Sequence, residues 1–159
     1  MPRDDLAHPH DPPSNHGRQR LMKLCAHATP GELRAALDAL GGPPAFELIR
    51  APEIGLVMLR GRIGGNGAAF NAGEATVTRA VVRLASGEIG FSYLLGRVPE
   101  QAKLAALIDA MAQRAGAFSG VEAALLTTVA SRVERETATR RAEAAATRAQ
   151  FFTLVRGED

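Results

Sequence analysis

Tryptophan is absent from the 159 residues, and Tyr93 is the single tyrosine. Both argue against a base-stacking platform for single-stranded nucleic acid. Net charge is only +2, from 19 Lys plus Arg against 17 Asp plus Glu, which is too balanced to imply a nucleic-acid partner. One cysteine, Cys25, rules out an internal disulfide framework and a cluster ligated by cysteines of this chain alone. No apolar run reaches the length of a membrane span, and no signal-peptide core is present. A cytoplasmic protein with no membrane partner is expected. Catalytic signatures are missing too: no HExxH, no nucleophile–base motif and no paired Asp cluster for magnesium.

Residues 1–16 hold four prolines, three of the four histidines and almost nothing apolar, which predicts a disordered tail. His8 and His10 have no further ligand cluster to make a metal site. Residues 17–159 are long enough for one domain with a sizeable core.

A first helix is predicted from Arg18 to His27, with Leu21, Leu24, Cys25 and Ala28 at helical spacing. Cys25 on that stripe reads as a small core residue. Thr29, Pro30 and Glu32 spell an N-cap, a proline at the first helical position and a capping box. Leu33, Ala36, Leu37 and Leu40 form the buried stripe of this second helix, which Gly41-Gly42-Pro43-Pro44 ends.

Strands are predicted at Phe46 to Arg50 and Gly55 to Arg62, then a hairpin around Ser86-Gly87. A two-residue turn there sets Leu84, Val82, Ala80 and Thr78 opposite Ile89, Phe91, Tyr93 and Leu95 as one core-facing surface. The other face then sets Val77, Arg79, Val81 and Arg83 against Gly96, Leu94, Ser92 and Gly90, an arginine-lined front with little side-chain cover. Between Phe46 and Arg97 there are six arginines, no lysine and four glutamates. Guanidinium forks suit a phosphate group or an acidic partner surface, and spacing does not choose between them. Gly64, Gly65 and Gly67 could form an anion nest, but match neither the P-loop nor the dinucleotide fingerprint. A flexible turn is the plainer reading.

Pro99 opens a further helix with Leu104, Leu107, Ile108, Met111 and Ala115 on one face, and Val121 to Val129 continues helical. Residues 131–150 hold five arginines, three glutamates and six alanines, with Val133 the one large aliphatic. Such a helix has propensity but little surface to bury at home. It delivers Phe151, Phe152, Leu154 and Val155 as an apolar cluster that either folds back or docks into another subunit.

The segment GEATVTRAVVRLASGEIGFSYLLGR resembles the PhnG family, the G subunit of the bacterial carbon–phosphorus lyase core complex. IRAPEIGLVMLRGRIGGNG, LIDAM and FFTLVRG resemble it in the same order, from about Arg18 to Gly157. The resemblance implies a required, non-catalytic subunit that works with H, I and J subunits. It implies transfer of the ribose 5-triphosphate of ATP to an alkylphosphonate such as methylphosphonate, with release of adenine. An iron–sulfur cluster and S-adenosylmethionine are then expected on a partner, and no cofactor on this chain alone. No catalytic residue carries over. Arg79, Arg83, Arg97, Gly64, Gly65 and Gly67 fall within the matching blocks as candidate partner or phosphate contacts. The expected architecture is α+β, one domain with a largely antiparallel sheet flanked by helices and a C-terminal helical arm. The competing reading is a free-standing binder of phosphate or nucleotide that uses the arginine face.

Overall fold

The computed structural model of the chain describes residues 15–62 and 67–155. Helices α1 (Asn15–His27) and α2 (Pro30–Ala39) precede strands β1 (Phe46–Arg62), β2 (Ala69–Leu84) and β3 (Ile89–Leu95). Then come α3 (Pro99–Ala112), α4 (Phe118–Leu125), a π-helical turn (Leu126–Ala130) and α5 (Ser131–Val155). The three strands form one antiparallel sheet in the order β1-β2-β3, so the expected α+β architecture is the one found. The proposed Pro/His-rich tail, residues 1–14 of it, lies outside the described residues.

Local chemistry accounts for the helix ends. The Thr29 side chain accepts from the Glu32 amide while the Glu32 carboxylate accepts from the Thr29 amide, which completes the capping box. Leu21, Cys25, Leu33, Ala36 and Leu37 are buried, as their spacing predicts. Helix α3 is buried nearly all round from Ala102 to Ala112, because it lies between the sheet and the other helices. Met111 is core. The α3 helix stops before Ala115, which is exposed. The π-helical turn lets Val121, Leu125 and Val129 all face the core before α5 leaves it.

The β2–β3 hairpin differs from the sequence reading by one residue. Its loop has three residues, Ala85-Ser86-Gly87: the Gly87 amide donates to Leu84 O (2.9 Å) and the Leu84 amide to Glu88 O (2.9 Å). Gly87 takes φ +108°, as the last position of such a loop requires. A shift of one residue turns every side chain of one strand to the opposite face. Thr78, Ala80 and Val82 therefore face inward beside Leu94, Ser92 and Gly90, not beside Leu95, Tyr93 and Phe91. The three large residues go to the front, where Phe91 is 47%, Tyr93 53% and Leu95 74% exposed. The front is aromatic as well as arginine-lined.

Strand β1 is continuous through Pro52, where two separate strands were expected. It is an edge strand, so the missing N–H of Pro52 is tolerated, and register irregularities between Leu48 and Glu53 absorb the extra residues. Beyond the end of β3, β1 and β2 pair only with each other, from Leu56↔Thr76 out to Arg62↔Ala69. No residue of β1 is buried, and Leu56 (63% exposed) and Met58 (58% exposed) show how bare this ribbon is.

Candidate functional site

The sheet front follows from its register. Glu47 faces Arg83 and Glu53 faces Arg79 across the β1–β2 pair. Each couple closes an ion pair: Arg83 Nη1 lies 2.9 Å from Glu47 Oε1, and the Arg79 guanidinium bonds Glu53. Arg50 also reaches Glu53, at 2.7 Å. Hydrogen bonds from Arg50 and then Arg79 hold the Glu53 carboxyl below the usual carboxylate range. Two of the three candidate arginines are thus already engaged by carboxylates. Arg97 is exposed, just past the end of β3 and apart from that pair. Gly67 is a half-buried bend residue, and Gly64 and Gly65 lie outside the described residues. The backbone at Phe151, Phe152, Leu154 and Val155 continues α5, and their side chains lie outside the described residues.

The groups with the strongest local electrostatics were not singled out by the sequence. Asp109, on α3, is buried and accepts from Arg18 Nε (2.9 Å) and Nη2 (2.7 Å) in a fork. It also accepts from the Phe91 amide at 2.9 Å, capping an outward N–H of the edge strand β3. Hydrogen bonding to Asp109 raises the pKa of Arg18, whose guanidinium lies 5.9 Å from the Phe91 ring centroid. Gln113 adds a bond to Ile89 O at 2.8 Å. The available signal was a lone acid inside the apolar run Ala105 to Ala112.

Arg132 forms the second centre. It bonds both Glu32 oxygens (2.8 and 2.9 Å), Glu136 (2.8 Å) and the His27 carbonyl (2.6 Å). One guanidinium therefore joins the root of α5 to the end of α1 and the start of α2. The Arg132 hydrogen bonds pull the Glu32 carboxyl down to about 2. A depressed carboxylate stabilises the fold above its unfolded pKa of 4.5, and this contribution disappears as pH falls through about 2. Wild type is expected to melt well above Glu32→Gln at pH 7, by a margin worth on the order of 2 kcal/mol. The two melting curves should converge between pH 4.5 and 2. A constant offset across that range would exclude the Arg132–Glu32 contact as its source.

Two concave regions matter. The first, beside Cys25, Ser92 and Asp109, encloses only about 30 Å³. That is water-sized and an order of magnitude short of a small-molecule site. Burial pushes the Cys25 thiol up to about 12, so it is not a nucleophile. The second is a groove of about 500 Å³ between α1 and α5. Among the described residues no helix is long and apolar enough to cross a membrane.

Residues 16–157 match the family described as phosphonate metabolism protein PhnG. The chain belongs to the PhnG family. It is 51% identical over 142 residues to the alpha-D-ribose 1-methylphosphonate 5-triphosphate synthase subunit PhnG of Rhizobium meliloti (strain 1021). That alignment covers 89% of this chain and 90% of the relative. The match spans the sheet, the Asp109 helix and α5 together, so the PhnG resemblance read from dispersed sequence blocks holds across the fold.

Proposed function

We propose that this chain is an accessory, non-catalytic subunit of a phosphonate-activating transferase. The complex would move the ribose 5-triphosphate of ATP onto methylphosphonate. The glycosidic C1′–N9 bond breaks, a C1′–O bond to the phosphonate forms, and adenine leaves with a proton. The H, I and J subunits are the proposed partners, in the cytoplasm. Nucleotide and phosphonate are held by the assembly, and an iron–sulfur cluster with S-adenosylmethionine belongs to a partner subunit.

The observation behind the accessory role is the β1–β2 ribbon. An isolated two-stranded ribbon is marginal in water. This one extends past the end of β3 with Leu56, Met58, Leu59 and Phe70 exposed, a surface that suits cover by another chain. The titratable groups held most firmly support the same reading, because Asp109 is tied to α1 and β3, and Glu32 and Arg132 to each other, as structural contacts. Arg79 and Arg83, paired to Glu53 and Glu47, fit a protein contact better than a free phosphate clamp. Arg97, Gly64, Gly65 and Gly67 are proposed as further partner contacts, and the Phe151–Val155 end of α5 as a docking segment.

Co-expression with the H, I and J subunits tests this. Adenine release from ATP that requires methylphosphonate is expected from the full assembly. Leaving out this chain should lower it by at least about a hundredfold. Undiminished release without the chain, or a monomer that ignores all three partners, would overturn the accessory role.

A further inference from the structure

The groove between α1 and α5 is built from one stripe of each helix. Arg20, Lys23, Leu24 and His27 line one wall, spaced at three and four residues. Ala130, Val133, Glu134, Thr137, Ala138 and Arg141 line the other with the same spacing. Leu24 and Val133 are half-buried against the core and make an apolar floor. Above it stand the cations of Lys23, Arg141 and Arg20, the last already 3.5 Å from Glu122, with Glu134 the one carboxylate in the lining. Small residues at 130 and 138 let a backbone come close to α5.

The charges are strung out and do not converge. Arg20 to His27 covers about 10 Å of helix, and Ala130 to Arg141 about 16 Å. A phosphate clamp draws its cations to one point. Here they border an apolar trough about three turns long, which is the shape that receives the apolar face of a helix. Resting on the subunit reading above, we infer that this groove seats an acidic amphipathic helix of a partner subunit. The apolar residues of that helix would lie on Leu24 and Val133, and its carboxylates would meet Lys23, Arg20 and Arg141.

The test places a photo-crosslinker in the groove of the full chain, Thr137→p-benzoylphenylalanine, purified with its partner subunits. After irradiation, the adduct is expected in a partner segment with Asp or Glu at three- and four-residue spacing beside apolar positions. An adduct on residues 1–14 of this chain, on a second copy, or on nothing overturns the inference. The double variant Lys23→Glu/Arg141→Glu changes two exposed side chains. It should keep its melting temperature but lower recovery of the complex by about tenfold, as opposed rim charges do. Full recovery of that variant refutes the groove and leaves the subunit reading standing, whereas failure of the wild type to assemble refutes both. Sodium tripolyphosphate is the small-anion probe. If it raises the melting temperature of the isolated wild type and not of the variant, the groove is a polyphosphate site instead.

Discussion

Gly90→Ala is expected to be the most damaging single-methyl change in this chain. A Cβ at position 90 would sit 2.0 Å from Ala106 O, 2.5 Å from the Ala110 amide nitrogen and 2.8 Å from Ala110 Cβ. Two of these obstacles are backbone of α3, and no rotamer relieves them. Helix α3 would have to rise off β3, and it is the helix on which the core closes, buried from Ala102 to Ala112. Overpacking by extra methylenes typically costs about 1–3 kcal/mol, and displacing a whole buried helix should exceed that, at roughly 4 kcal/mol or more. For a domain of this size the melting temperature should fall by at least about 10 °C. Gly55→Ala is the control, because a Cβ there meets nothing within 4 Å. Thermal denaturation of both variants decides the matter. A Gly90→Ala protein that melts within about 2 °C of wild type would mean that α3 does not lie on β3 at this distance.

Asp109→Ala should rank next. It strands the Phe91 amide and leaves the Arg18 fork without its acceptor, with the carboxylate site 97% enclosed. Removing one member of a buried pair typically costs about 3–5 kcal/mol. Arg18 is one-third exposed and can turn to water, so Arg18→Met should cost less, on the order of 1–2 kcal/mol. Asp109→Asn keeps the volume but turns a donor toward donors, and should fall between these two. Urea unfolding of the three variants and of the Arg18→Met/Asp109→Ala double mutant gives the coupling between the residues. A coupling of zero would contradict the fork.

These two residues also mark how far the sequence could be read. The helices were legible because their signals are local: a cap at Thr29, a stop at Gly41-Gly42, apolar residues at helical spacing. The inward set Thr78, Ala80, Val82 and Leu84 was legible for the same reason, through alternation. The β3 register was not. Two- and three-residue hairpin loops both end in glycine, and the choice between them was made by tertiary packing: α3 needs Gly90 and Ser92 beneath it and excludes Phe91 and Tyr93. Asp109 escaped notice because its partner Arg18 is 91 positions away. Arg132 and Glu32 are 100 apart, so Glu32 was legible as a capping-box residue but not as the partner of Arg132. The arginines at 79 and 83 were found, but their cross-strand glutamates were visible only once the bulges in β1 set the register. The family was legible over nearly the whole chain, since ordered blocks survive where single contacts cannot be inferred.

Arg132 has a mechanical consequence. Beyond Glu136 the helix runs to Val155, a span of about 28 Å at helical rise. Among the described residues, Arg132 ties the root of this helix to α1 and α2 through the His27 carbonyl and Glu32. Arg132 acts as a clamp near the root of the arm. A tilt of about 10° at the clamp would move the far end by about 5 Å, the length of one helical turn. Such a tilt would misaim whatever the far end must reach, so the bearing of the arm depends on how Arg132 meets the two carboxylate oxygens of Glu32.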